Sequence, residues 1–192
     1  ISQLTASANV LAVHPSVGVS TLKEFIALAK GKPGHINYSS GGIGTIGHLS
    51  AELLQHAAGI KLNHIVYKGS GQAVIDLLGG HVGTMFSGMA AVQGHARAGK
   101  LRLLAVTGKE RMGVAPDVPT IAESGYPKFE AYGWFGVIAP ARVPKPIITR
   151  LNGETIKAVN APAVRERLTA IGFDVVTSSP EVFARYIESE FA

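Results

Sequence analysis

The sequence predicts an α/β fold. Short apolar runs rich in Val, Ile and Leu alternate with amphipathic segments of helical period, and glycine-rich turns separate them. Of the 192 residues, 46% are hydrophobic and 16% charged, a balance that folds and lies outside the disordered class. Strands separated by helices of this length are the pattern of right-handed βαβ crossovers, which build a parallel sheet covered on both faces.

In chain order, residues 9–14 (Asn-Val-Leu-Ala-Val-His) read as a buried strand closed by Pro15. Thr21 can cap a helix over 22–30, with Glu24 completing a Thr-x-x-Glu box and Leu22, Phe25, Ile26 and Ala29 on one face. Gly31 and Pro33 end it. The alternation then repeats: strand 36–39, helix 48–58, strand 62–67, helix 72–78, strand 82–86, helix 90–98 and strand 101–107. Residues 113–127, punctuated by Gly and Pro, read as a connector. A second group follows, with strand 130–138, helices 146–159 and 161–171, strand 173–177 and a last helix from Pro180. Three helices with so little sheet imply partner strands upstream of Ile1, which makes residues 9–14 and 134–138 two crossings between lobes. The chain opens at Ile1 without Met, basic n-region or signal-like stretch, which fits an interior cut.

Composition excludes several function classes. There is no cysteine, hence no disulfide, thiolate metal site or cysteine nucleophile. The net charge of +5 comes from scattered Lys and Arg with no basic run, so nucleic acid is not the expected partner. No apolar run approaches the ~18 residues of a membrane span, so no direct membrane insertion is expected. Seven histidines fall without HExxH or facial-triad spacing, and no Gly-x-Ser-x-Gly elbow is present, so neither metal, cofactor nor catalysis is expected.

The candidate site is the stretch Asn37-Tyr-Ser-Ser-Gly-Gly-Ile-Gly-Thr-Ile-Gly-His48, a glycine-rich turn with hydroxyls between a strand and a helix. Helix N-termini carry unpaired N–H groups and partial positive charge, and glycines admit a ligand's oxygens close to the backbone. The stretch lacks the Lys-Ser/Thr of a Walker loop and only partly overlaps the dinucleotide fingerprint, so a carboxylate fits better than a nucleotide. The same residues also fit a plain turn capped by Ser and Thr. Ser39, Ser40, Gly41, Gly44, Thr45 and His48 are the candidates here, with His48 as a neutral hydrogen-bonding group. Tyr67-Lys68-Gly69 form a second such turn, with Tyr67 as a wall and Lys68 either an ion partner or a solvated lysine, and Ser87 offers a hydroxyl from a third.

An ordered series of motifs then resembles one family: 32–45 (Lys-Pro-Gly-His-Ile-Asn-Tyr-Ser-Ser-Gly-Gly-Ile-Gly-Thr) with His48-Leu49; Val66-Tyr-Lys-Gly69 leading to Asp76-Leu-Leu-Gly-Gly80; Ala98-Gly-Lys-Leu-Arg102; Leu104-Ala-Val-Thr107; Pro116-Asp-Val-Pro-Thr120 with Ala122-Glu123; and Trp134-Phe-Gly136 before Ala139-Pro140. The chain resembles the Bug-type receptors of tripartite tricarboxylate transporters. That resemblance implies a type II periplasmic-binding-protein-like fold, two α/β lobes with parallel or mixed sheets joined by hinge strands, the first lobe incomplete. It places a hinge strand at 1–13, a complete ligand-binding lobe at 14–133 and the C-terminal part of the other lobe at 134–192. It implies a monomeric periplasmic receptor, exported by a signal peptide outside this chain, that passes a small carboxylate to membrane transporter subunits. Nothing here matches the family's first glycine-rich loop, Gly83 stands where many members carry Asp, and Ser87-Gly88 replace bulkier or more polar pairs. Di- and tricarboxylates, acidic amino acids and aromatic acids therefore all stay open as ligands. The effector-binding domain of a transcription regulator shares this two-lobed architecture and is the alternative reading, and an enzyme with an anion-binding loop is a third.

Overall fold

The computed structural model describes residues 1–190. The chain divides into two compact units, residues 8–132 and residues 1–7 with 133 onward. Strand β1 (Ser2–Val13) contributes residues to both. It is longer than the predicted strand because residues 2–7 are mostly polar and gave no apolar run. Ser2, Gln3, Thr5 and Ser7 are nonetheless buried. Hydrogen bonds take up part of that polarity: the Gln3 amide donates to Ser178 Oγ at 3.1 Å, and the Ser178 amide to Ser2 Oγ at 3.1 Å.

In the larger unit, residues 8–13 of β1 join β2 (Asn37–Ser40), β3 (Asn63–Val66), β4 (Thr84–Gly88) and β5 (Arg102–Val106) in the order β3-β2-β4-β1-β5. β2 runs parallel to β3 and to β4, with Ser40 opposite Val66 and Ser39 opposite Met85. β1 is antiparallel to β4 and β5, so the sheet is mixed where crossover helices alone predicted a parallel one. The strand patterns could not reveal this, because β1 reaches the sheet from the other unit rather than through a crossover helix.

Helices α1 (Leu22–Gly31), α2 (Ile46–Ala58), α3 (Ser70–Leu78) and α4 (Met89–Arg97) complete this unit. α1 has the expected capping box: the Glu24 amide donates to Thr21 Oγ1 at 3.2 Å, and Glu24 Oε2 accepts from the Thr21 and Ser20 amides. Two cores form, one on each face of the sheet. Leu11 and Val13 of β1 enter the first with Phe25, Tyr38 and Leu54; Val10 and Ala12 enter the second with Leu77, Met85 and Val92. The segment expected as a connector is pinned to β5, since the Val106 amide donates to Pro119 O and the Ile121 amide to Val106 O, both at 2.9 Å.

The other unit holds residues 2–7 of β1, β6 (Tyr132–Val137), β7 (Asp174–Val175), α5 (Lys145–Asn160), α6 (Pro162–Ala170) and α7 (Pro180–Ser189). Both β6 and β7 pair with β1, β7 antiparallel with Thr5 opposite Val175. α7 buries Phe183, whose ring meets Trp134 edge-on at 5.4 Å. No residue of α5 or α6 is buried. Among the described residues no helix is long and apolar enough to cross a membrane.

Candidate functional site

Because β2, β3 and β4 run in one direction, their carboxyl ends, Ser40, Val66 and Gly88, lie along one edge of the sheet. From that edge start α2, α3 and α4. The connection from β2 runs outward to β3, and the connection from β3 runs back past β2 to β4, so α2 packs on the first core and α3 on the second. In open α/β sheets the crevice at such a reversal of strand order is where ligands bind.

The helix starts at this edge share a property. Thr45, Gly69 and Gly88 are the N-caps of α2, α3 and α4, and none of them makes a side-chain cap bond. α1 and α7, which begin elsewhere, are capped by Thr21 and Ser179. α5 and α6 also lack a side-chain cap but open with proline in the first turn, where one donor is missing anyway. The first-turn N–H groups of α2 to α4 therefore point toward the sheet edge without a capping oxygen from their own N-cap.

The turn after β2 is tied together from within. Ser40 Oγ accepts the Gly42 amide at 3.2 Å, Thr45 Oγ1 donates to Gly42 O at 2.7 Å, and the Gly44 amide donates to His48 Nδ1 at 3.3 Å. The backbone amides of Gly42 and Gly44 are thus used inside the loop, and the donors left for a ligand are those of the first turn of α2. Two close approaches join this turn to its neighbours. A Cβ at Gly41 would lie 2.7 Å from Ser70 Oγ and 2.9 Å from the Ser70 amide, and the Gly69 amide donates to Gly41 O at 3.0 Å. A Cβ at Gly47 would lie 2.7 Å from Phe86 O, so the start of α2 rests on the end of β4, next to Ser87.

The expected site residues distribute as follows. Gly41, Gly44, Thr45, His48 and Gly69 all stand at this edge, with Gly44 and Thr45 exposed and His48 half-buried. Lys68 is exposed there, with no hydrogen bond or ion pair among the described residues. Ser87 is buried, its hydroxyl 3.4 Å from Gly88 O. Ser39 and Ser40 alternate across β2: Ser40 faces the α2 side, whereas Ser39 is fully buried beside Met85 of the second core, its hydroxyl without a partner among the described residues. The Tyr67 ring packs against that core rather than standing free, and its hydroxyl donates to Asp76 Oδ2 at 2.6 Å. That bond, helped by burial, pushes the phenol up to about 12. Tyr67→Phe is accordingly expected to lower stability by about 1–2 kcal/mol in urea unfolding while changing ligand affinity less than about twofold.

Two residues at the edge went unread in the sequence, Ser70 against Gly41 and His64 against Ser40. Both contacts are between elements distant in sequence, and no local pattern marks them. A separate concavity of about 370 Å³ lies at the far end of α2, lined by Leu53, His56, Ala57, Tyr126, Pro127 and Phe129 among others. It is mostly apolar and lacks a helix N-terminus. Among the described residues no three His, Asp or Glu side chains are grouped to hold a metal.

An open α/β sheet that reverses strand order beneath uncapped helix starts matches the fold of periplasmic binding proteins. The chain belongs to the tripartite tricarboxylate transporter receptor family, whose model matches residues 1–192. Protein BugT of Bordetella pertussis is 40% identical over 181 residues, which cover 94% of this chain and 56% of that protein. Among solved structures, R. palustris Rpa4515 with adipate superimposes with a TM-score of 0.93 at 32% identity, over 98% of this chain and 63% of that one. MatC (Rpa3494) from Rhodopseudomonas palustris with bound malate gives 0.88 at 29% identity, over 98% and 65%. The chain thus spans just over half the length of the curated relative and under two thirds of the solved structures.

Proposed function

We propose that this chain is the larger part of an extracytoplasmic solute receptor that binds a small carboxylated metabolite in the periplasm, catalyses nothing, and delivers its ligand to membrane subunits of a tripartite tricarboxylate transporter. The observation that carries this reading is the convergence of three uncapped helix starts, α2, α3 and α4, on one edge of the larger unit. Unpaired N–H groups and helix dipoles stabilise a negative charge placed there. Adipate and malate, the ligands of the two solved relatives, are both dicarboxylates, which puts that class first among the candidates.

In this reading Ser40, Gly41, Gly44, Thr45, His48, Gly69 and Ser87 shape one side of the carboxylate site. Lys68 adds a cation at its rim, and Ser39 and Tyr67 support it from beneath. The larger unit accordingly works as one lobe, with the other unit as part of a second. A thermal-shift screen of the full-length protein against mono-, di- and tricarboxylates, acidic amino acids and aromatic acids tests the reading. Ligands that bind only the folded protein raise its melting temperature by mass action. A rise with one carboxylate class supports the receptor, and no rise with any carboxylate contradicts it. Thr45→Val removes the 2.7 Å bond that closes the turn on Gly42 O. It is expected to weaken the active carboxylate about two- to tenfold in titration calorimetry.

A further inference from the structure

Behind the glycine-rich turn stands a column of three rings. Tyr38 of β2 and His64 of β3 are directly opposite in the strand register, and their rings stack at 4.5 Å with 4° between planes. On the other face of His64 lies His48 of α2, at 4.6 Å and 23°. The base of the column is fixed, because the Tyr38 hydroxyl donates to Glu52 Oε1 at 2.6 Å and Gln55 Nε2 holds the same oxygen at 2.7 Å. Its top touches the turn twice: His48 Nδ1 accepts the Gly44 amide, and Ser40 Oγ lies 2.7 Å from His64 Nε2.

The hydrogen count at Ser40 assigns the His64 tautomer. Ser40 Oγ has one proton and three neighbours: the Gly42 amide at 3.2 Å, Gly42 O at 3.1 Å and His64 Nε2 at 2.7 Å. All three contacts are hydrogen bonds only if Ser40 donates to Gly42 O and accepts both from the Gly42 amide and from a proton on His64 Nε2. Burial, and then the adjacent His48, hold His64 below the ordinary histidine range, so at neutral pH the ring has a single proton to place.

We propose that His64 is a positioning residue of the carboxylate site: it donates from Nε2 to Ser40 Oγ, carries His48 on its ring face, and so holds the turn at both Gly42 and Gly44. The inference rests on the receptor reading given above. No atom of His64 needs to touch the ligand. Its effect reaches the ligand through Ser40 and His48, which fix the path of the chain into the first turn of α2.

The test compares His64→Phe, which keeps a ring in the stack but loses the donor, with His64→Gln, whose amide nitrogen reaches about as far as Nε2. Two readouts are used on the full-length protein: amide hydrogen exchange at Gly42 and Gly44 without ligand, and affinity for whichever carboxylate the thermal-shift screen identifies. His64→Phe is expected to speed exchange at Gly42 about three- to tenfold and to weaken binding by a similar factor. His64→Gln keeps the donor but not the ring, so exchange at Gly42 should stay within about twofold of the unmodified protein while exchange at Gly44, held through His48, speeds up. Ser40→Ala removes the same bond from the other side, and should speed exchange at Gly42 as His64→Phe does, with no further increase when the two are combined. Unchanged exchange in both His64→Phe and Ser40→Ala, additive effects in the double variant, or failure of His64→Gln to recover slow exchange at Gly42, each overturns the proposal. If the unmodified protein binds no carboxylate, the receptor reading fails, while the exchange measurements still decide whether His64 holds the turn.

Discussion

Gly41→Ala is expected to reduce carboxylate affinity at least about tenfold, equivalent to about 1.4 kcal/mol, the largest binding effect of any single substitution at the site. The added methyl meets both the hydroxyl and the backbone amide of Ser70 inside van der Waals contact. A serine hydroxyl can rotate away, but the amide belongs to the first turn of α3 and moves only with the helix. The turn after β2 and the turn after β3 must therefore separate, and the amides that converge on one anion no longer do so. Stability should fall by about 1–3 kcal/mol, the usual cost of overpacking. Calorimetric titration beside urea unfolding separates the two effects, and an affinity within twofold of the unmodified protein would remove the close approach of the two turns from the site.

The largest effect on stability is expected at Phe25, which is fully buried in the middle of α1 and in the first core with Leu22, Ile26 and Tyr38. Phe25→Ala deletes a ring that a close-packed core cannot replace, and should cost about 3–5 kcal/mol in the urea unfolding of the larger unit. Phe135, 60% exposed in the other unit, supplies the contrast. Phe135→Ala should change stability by less than about 1 kcal/mol. A similar loss at both positions would contradict the core as described.

What could be read from the sequence, and what could not, follows the range of the interactions involved. α1 was legible in detail because its signals are local: Thr21 and Glu24 are three residues apart, and Leu22, Phe25, Ile26 and Ala29 repeat at helical period. The glycine-rich turn was legible because a strand, a run of glycines and a helix follow one another in 37–58. The first half of β1 was missed because Ser2, Gln3, Thr5 and Ser7 are polar, and their burial depends on partners as distant as Ser178. The antiparallel course of β1 between β4 and β5 is likewise a matter of which strands meet. At the site, the loop glycines read as letting a ligand's oxygens approach the backbone beside the helix start. In three dimensions the amides of Gly42 and Gly44 are occupied by Ser40 and His48, which leaves the first turn of α2 as the donors of the proposed anion site. His64 carried no signal, because its value lies in facing Tyr38 across two strands and His48 on a helix.

The most direct test of the account is residue-resolved NMR of the full-length protein during titration with adipate and with malate. A carboxylate bound at the edge of β2, β3 and β4 is expected to shift the amide signals of Ile46, Gly47 and His48 first, with smaller changes at Gly69, Ser70 and Met89. Shifts confined to the apolar concavity around Leu53, Tyr126 and Phe129, with the start of α2 unmoved at saturation, would contradict it.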